Sequence, residues 1–179
     1  MTIKVLEKTE GCFPQEFEIG EYYDLSTAEE IKLKTPQANK MHIRNKGNKE
    51  LPDVRTRDVD FQSVLIPLGV AMEIPKGYEA IIVPRSSTFK KWGILQTNSI
   101  GVIDNSYKGD NDEWLLPAIA IKGVTIPKGT RICQFRIQLS QKATVWQKLK
   151  WLFSSKPKFI KVSTLDNPDR KGIGEGTGN

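Results

Sequence analysis

Ser63-Val64-Leu65-Ile66-Pro67-Leu68-Gly69-Val70-Ala71-Met72-Glu73-Ile74-Pro75 sets an apolar side chain at every second position, at Val64, Ile66, Leu68, Val70, Met72 and Ile74. A period of two is the signature of a strand with one face in a core. Pro67-Leu68-Gly69 interrupts it, and Pro75-Lys76-Gly77 is a turn. Beyond the turn, Tyr78, Ala80 and Ile82 resume the alternation toward Pro84-Arg85-Ser86-Ser87. Glu113–Ile121 is almost wholly apolar and predicts a strand buried on both faces. After a turn at Ile126-Pro127-Lys128-Gly129, Cys133, Phe135, Ile137 and Leu139 alternate with polar residues. Short strands separated by Pro-Gly turns indicate an all-β fold, a barrel or jelly-roll-like sandwich.

Toward the N-terminus, Ile3 and Val5 predict a short strand and Gly11–Pro14 a turn, and Ile31-Lys32-Leu33 alternates like a strand. Residues 34–60 are polar and charged and predict an extended loop, with one strand over Met41–Arg44 and His42 as a surface or packing residue. Toward the C-terminus the period changes. Val145, Trp146, Leu149, Leu152 and Phe153 share one face of a helix, with Thr144 and Gln147 spaced as a capping box and Ser154-Ser155-Lys156-Pro157 as its stop. This stripe is expected to pack on the barrel or on a neighbouring copy, with Trp151 and the lysines outward. The last ten residues carry glycine at alternate positions and too few apolar groups to offset ordering, so they are expected to form a mobile arm. Three segments result: a barrel over 1–143, a basic helical insert over 144–157, and a C-terminal strand with a glycine-rich arm over 158–179.

The 179 residues suffice for one domain with a core. Hydrophobic content of 38% and charged content of 27% read as soluble and globular. No apolar run reaches the roughly 18 residues of a membrane span, and no signal-peptide core opens the chain. Two cysteines and one histidine exclude a disulfide framework, a zinc pattern and a well-supplied Ser-His triad, and they fit a reducing cytoplasm. The net charge of +6 is local: residues 142–161 hold six lysines and no acid, and elsewhere basic and acidic residues balance.

Chemistry concentrates in a few stretches. In Gly101-Val102-Ile103-Asp104-Asn105-Ser106-Tyr107-Lys108-Gly109, turn signals follow a lone carboxylate. The pattern predicts a β-hairpin with Asp104 at its mouth and Tyr107 on the same lip. A solvated Asp and a packed Tyr are the plain reading; a carboxylate that orients water beside an aromatic platform is the sharper one. Arg85, Ser86 and Ser87 end a strand in a pattern suited to cradling phosphate, although paired serines are also common in turns. Asp24 alone reads as a loop carboxylate. The glycine-rich tail with Arg170 suits either a disordered terminus or a phosphate-binding arm.

Together, in this order, these stretches resemble the five motifs of the homotrimeric dUTP pyrophosphatases, of a phage or bacterial type with an extra segment before the C-terminal arm. Tyr23-Asp24-Leu25, Pro84–Ser87, Gly101–Asp104 with Tyr107 and Gly109, Gly129–Gln134 and Arg170–Gly178 carry the resemblance, with Asn98-Ser99-Ile100 leading into the third motif. It implies a jelly-roll-like trimer that converts dUTP and water to dUMP and pyrophosphate, in sites drawn from three copies. Asp104 would activate the water, Tyr107 would lie under the deoxyribose, and Asn98, Gly101, Val102 and Ile103 would read uracil. Arg85, Ser86, Ser87, Gln134 and the arm residues Arg170, Gly172, Ile173 and Gly174 would hold the nucleotide. A Mg2+ ion would ride on the phosphates with Asp24 reaching it through water. Three departures stand out: Ile173 where an aromatic caps the base, with Lys171 and Glu175 at small-residue places; Tyr23 beside Asp24; and the added segment 144–157.

Two alternatives accompany this reading. A dCTP deaminase of the same fold would want a glutamate at the base, and the third motif has none. A regulatory protein would instead use the basic insert 144–157 to contact an acidic protein, nucleic acid or membrane.

Overall fold

Strand β8 (Tyr78–Pro84) is the spine of the molecule, because it carries a partner on each edge. The computed structural model describes residues 1–16, 20–52, 54–153 and 156–170. On one side of β8 lies β10 (Gly101–Asp104), and on the other β13 (Arg131–Leu139), which in turn pairs with β2 (Tyr23–Ser26). A second sheet orders β6 (Ser63–Pro67), β11 (Leu115–Ala120) and β9 (Ile94–Gln96). In a third, β7 (Val70–Glu73) and the C-terminal β14 (Lys158–Val162) flank β1 (Thr2–Glu7). Two ribbons complete the set: β3 (Ile31–Leu33) with β12 (Val124–Ile126), and β4 (Gln37–Arg44) with β5 (Val54–Asp60). The architecture is all-β and jelly-roll-like, built of small packed sheets; no closed barrel of strands forms among the described residues.

The predicted alternation decides the core. Ile66, Leu68, Val70, Met72 and Ile74 are completely buried, and Gly69 adopts φ 67° at the break between β6 and β7. Cys133, Phe135 and Ile137 of β13 point inward as expected. Tyr23, Phe135, Phe159 and Trp114 form an aromatic cluster with ring centroids 4.7–5.8 Å apart. Tyr23, the residue beside Asp24 that departs from the motif, is therefore a packing residue that joins β2 to β13 and β14.

Three expectations are corrected. Residues 34–60 are not a loop: β4 and β5 form a two-stranded hairpin with every described residue exposed. With no face buried, selection leaves no apolar alternation to read. His42 is on the surface as expected, 2.8 Å from Asp58. Strand β11 is buried on one face only; Leu116, Ala118 and Ala120 are inside while their neighbours are half-buried.

The third correction concerns α2 (Val145–Leu152). Its capping box is present, with Gln147 N donating to Thr144 Oγ1 (3.2 Å) and Thr144 N donating to Gln147 Oε1 (2.7 Å). Trp151 faces the barrel, against expectation, and the stripe lies off the barrel, so of the two surfaces expected for it the neighbouring copy is left. Gln147 Nε2 donates to Lys76 O (2.7 Å) and Trp151, one turn on, packs on Tyr78 with centroids 5.7 Å apart. Val145, Trp146, Leu149, Leu152 and Phe153 face outward, with Phe153 87% exposed. The Trp151 ring and the Gln147 amide hold the helix this way round because the β7–β8 turn offers them an aromatic face and a carbonyl. Trp151→Ala should therefore cost about 1–2 kcal/mol, whereas Trp146→Ala should stay within about 0.5 kcal/mol. Thermal or urea unfolding of the two variants checks this order.

Candidate active site

The register on β8 fixes where each candidate residue stands. Asp104 is opposite Glu79, at the start of β8, whereas Gln134 is opposite Val83, near its end. Asp24 of β2 is in turn opposite Gln134. Arg85 follows β8 directly, and its Nε lies 3.0 Å from Asp24 Oδ2, which Arg131 Nη1 also approaches at 3.4 Å. Asp24 is 4% exposed, and the two guanidiniums account for a buried carboxylate there. Ser86 is exposed and Ser87 half-buried, both at the turn before α1 (Thr88–Trp92). Thr88 Oγ1 donates to Ile132 O (2.6 Å), which ties that turn to β13. Asp24, Arg85, Ser86, Ser87 and Gln134 thus gather at one end of β8, as a polar cluster with surplus positive charge.

Asp104 stands at the other end. Six residues of strand separate Glu79 from Arg85, roughly 20 Å at about 3.3 Å per residue. The hairpin expected at Asp104 is not formed: β10 pairs only with β8, and β11 pairs with β6 and β9. The chain instead makes a turn in which Tyr107 N donates to Asp104 O (3.2 Å). Ser106 N (2.8 Å) and Ser106 Oγ (2.5 Å) both donate to Asp104 Oδ1. Those bonds, opposed by partial burial and aided by Arg170, hold the Asp104 carboxyl below its ordinary value. Along β10, Val102 is exposed like Asp104, while Gly101 is buried against Ile82 and Ile103 is half-buried against the core. Asn98, exposed, precedes Gly101 and so lies away from Asp104 along the register of β8.

Tyr107 is only 8% exposed and its hydroxyl donates to Glu113 O (2.8 Å). Burial, with Asp112 and Glu113 nearby, pushes its phenol up to about 12. It is a core residue that offers at most an edge to a ligand. Arg170 Nη1 donates to Ser106 Oγ (2.8 Å) and lies 3.6 Å from Asp104 Oδ1. Gly172, Ile173 and Gly174, expected in the arm, lie outside the described residues.

Sequence reasoning missed the groups that hold this end together. Asp112 is 2% exposed and accepts from Lys108 N (3.0 Å), Gly109 N (2.8 Å) and Arg170 N (2.9 Å). Asp110 accepts from Leu165 N (2.7 Å) and Thr164 Oγ1 (2.8 Å). Asp169 accepts from Asn111 N (2.9 Å) and Asn111 Nδ2 (2.7 Å). Three carboxylates thus staple segment 164–170 to the loop that follows Asp104. Gly109 is required because a Cβ there would overlap the main chain of Asp169. The signal available in sequence was the acid-rich Gly109-Asp110-Asn111-Asp112-Glu113, but nothing there says that its partners lie more than fifty residues away.

This is an all-β protein with an oriented carboxylate and a cationic, serine-bearing cluster on one sheet, groups able to address water and phosphate. The dUTPase family model matches residues 53–149. An SPbeta prophage-derived deoxyuridine 5'-triphosphate nucleotidohydrolase of Bacillus subtilis is 41% identical over 172 residues, covering 96% of this chain and 94% of its own length. The deoxyuridine 5'-triphosphate nucleotidohydrolase of Finegoldia magna is 32% identical over 76% of this chain and 96% of its own length. In fold, the chain is similar to the dUTPase of Streptococcus mutans, with a TM-score of 0.59 at 20% identity, covering 80% of this chain and 99% of that one. It is also similar to a dUTPase of phage phi11 of S. aureus, with a TM-score of 0.57 at 18% identity over 81% and 95% of the two chains. The chain belongs to the dUTPase family.

If Asp112 anchors the arm root, Asp112→Ala leaves three N–H groups without their acceptor. It should cost about 3 kcal/mol, and Asp112→Asn, which keeps one acceptor oxygen, about half as much. Trypsin should then cut after Arg170 faster than in the parent protein; an unchanged cleavage rate would refute the anchor.

Proposed function

We propose that this chain hydrolyses dUTP to dUMP and pyrophosphate in sites shared between copies of itself. One observation carries the sharing: on the β8 register Asp104 stands four residues from Gln134 and six from Arg85, about 13–20 Å of strand, longer than a chain of three phosphates. A carboxylate that addresses the α-phosphorus and a cluster that grips the distal phosphates must therefore come from different copies. A contact that joins the start of one β8 to the end of another is heterologous and closes into a ring. The homotrimer implied by the family is such a ring, and the glycine-rich arm would complete each site.

The chemistry follows from the groups in hand. Ser106 occupies Asp104 Oδ1, so the other carboxylate oxygen is the one to accept from a water. A carboxyl held below its ordinary value is a weak base, and its main work is to orient that water in line with the α-phosphorus. As the water oxygen bonds to phosphorus, its proton passes to Asp104, the bond from the α-phosphorus to the bridging oxygen breaks, and pyrophosphate leaves. Arg85, Ser86, Ser87 and Gln134 bind the phosphates, and the edge of Tyr107 bounds the sugar. Asn98 and the backbone of Gly101–Ile103 pair with the base. Arg170, Gly172, Ile173 and Gly174 cover the nucleotide.

Among the described residues no group of three or more His, Cys, Asp or Glu side chains gathers to hold a metal. A Mg2+ ion fits only as a passenger on the phosphates, with Asp24 as its one protein contact through water. Both guanidiniums lie on Asp24 Oδ2, which leaves Oδ1 for that water. Bound there, the ion supplies charge neutralisation. The phage phi11 protein, similar in fold, is described as coordinating a structural Mg(II) ion. No described helix is long and apolar enough to cross a membrane; a cytoplasmic location, in a bacterial cell or a phage-infected host, is part of the proposal.

The outward stripe of α2 favours a second role beside catalysis. Five exposed apolar side chains with Lys148 and Lys150 on their two shoulders suit a protein groove that is apolar inside and acidic at its rim. A deaminase is not favoured, since the relatives named above are dUTP hydrolases.

Asp104→Asn and Arg85→Ala should each lower kcat by about 10²–10⁴. Unfolded together and refolded as mixed oligomers, they should regain about a quarter of the wild-type rate, since some sites then receive both intact groups. No recovery would place the whole site in one chain. The pH profile checks Asp104 itself. Its lowered carboxyl keeps the active, ionised form to unusually low pH, so activity is lost only as pH falls through that depressed value. Ser106→Ala removes the largest cause, and the acidic limb of kcat should move to higher pH.

A further inference from the structure

Gln96 ends β9 directly beneath the Asn98–Gly101 turn. Its side-chain amide makes two contacts: Nε2 lies 3.4 Å from the main-chain oxygen of Ile82 and 2.8 Å from Asn98 Oδ1. Its Oε1 is buried and has no partner among the described residues. A carbonyl oxygen can only accept, so the Gln96 atom facing Ile82 must be the nitrogen. That nitrogen carries a second hydrogen, and the atom of Asn98 that receives it must be the oxygen. The orientation of both amides is thus set by one main-chain carbonyl of β8. Ile82 is itself fixed, because it pairs with Gly101 on one edge and with Phe135 on the other. The space is fitted to this arrangement: a Cβ on Gly101 would come within 3.4 Å of Gln96 Nε2 and 3.3 Å of Ile82 Cβ. Ser99, at φ 58°, turns the chain back so that Ile100 N donates to Asn98 O (2.5 Å), which holds the Asn98 backbone in place.

We infer that Gln96 is a positioning residue for base selection: it locks Asn98 with its oxygen inward and its N–H2 group toward the base. The inference rests on the assignment of Asn98 to the base, made above. An outward N–H2 donates only. It matches a pyrimidine that carries a carbonyl oxygen at position 4 and meets a clash of donors in one that carries an amino group there. A freely rotating asparagine could serve either base by turning over, so Asn98 alone would not discriminate. Beside the backbone of Gly101–Ile103, the pair adds to the rejection of cytosine, because Gln96 opposes the flip: a flipped Asn98 would lose the 2.8 Å bond and set two N–H2 groups against each other.

The test measures kcat/KM for dUTP, dCTP and UTP in four proteins: the parent, Gln96→Leu, Gln96→Glu and Asn98→Ala. Gln96→Leu removes the lock, and the dUTP-to-dCTP ratio should fall about tenfold or more. Gln96→Glu has the same shape and repels an inward oxygen. Asn98 then turns its nitrogen inward and presents its oxygen, so the ratio should fall further than with leucine. The dUTP-to-UTP ratio reads the sugar and should hold in both Gln96 variants, which a general loosening of the site would not allow. A dUTP-to-dCTP ratio unchanged in Gln96→Glu, with KM for dUTP raised in Asn98→Ala, would overturn the positioning role and leave Asn98 at the base. An Asn98→Ala protein with unaltered KM and ratios would instead overturn the assignment of Asn98. Should Gln96→Leu fail to fold, the Gln96→Glu protein decides alone.

Discussion

The pairing of β10 with β8 constrains everything else in this molecule. Because Asp104 lies opposite Glu79 and not further along, the oriented carboxylate and the cationic cluster sit at opposite ends of one strand. Neither end can be moved without slipping β10 on β8, and a slip of one residue would turn Gly101 and Ile103 to the wrong faces. On the proposed reading, groups held so far apart meet only through association, and assembly and catalysis are one requirement.

At the Asp104 end, charge substitutes for a second strand. The chain after Asp104 has no ladder partner, and three carboxylates supply the order that backbone pairing would have given. Each accepts main-chain N–H groups, an arrangement that satisfies a negative charge without a cation. The same staples bring Arg170 to Asp104, so the free carboxylate is paired with the root of the arm. A nucleotide brings a stronger anion than Asp104 to this place. On the proposed reading, phosphate takes the guanidinium and leaves the carboxylate to the water, so that substrate arrival and activation of the base are the same exchange of partners.

What could be read from the sequence follows burial. The strands whose residues alternate between core and surface, β6, β7, β8 and β13, announce themselves at Val64–Ile74, Tyr78–Ile82 and Arg131–Leu139. Asp24, Arg85, Asp104 and Gln134 stood out only together, through the motif order of a family; one by one each had a plain reading as a turn, loop or surface residue. The β4–β5 ribbon was not legible, since neither of its faces is buried and backbone pairing leaves no pattern in side chains. The orientation of α2 was not, because periodicity shows that a helix has an apolar face but not what that face meets. One amide bond from Gln147 to Lys76 and one ring contact from Trp151 to Tyr78 decide it. Asp112 was not, because its partner Arg170 is fifty-eight residues away.

The groups proposed to face the nucleotide lie at the surface. Asp104, Ser86, Asn98 and Val102 are all exposed, and an exposed side chain keeps its rotamer freedom unless something spends contacts to remove it. Three of them have a companion that does so: Ser106 is fixed on Asp104 by two donors, Thr88 ties the serine turn to β13, and Gln96 holds Asn98. Of these companions, Thr88 and the Gln96 amide anchor directly to main-chain carbonyls of β13 and β8, which cannot rotate away. Precision at the surface is therefore borrowed from the strand ladders, one hydrogen bond at a time. A substitution in a companion should leave the fold standing and blur the site, which is the behaviour that distinguishes a positioning residue from a packing one.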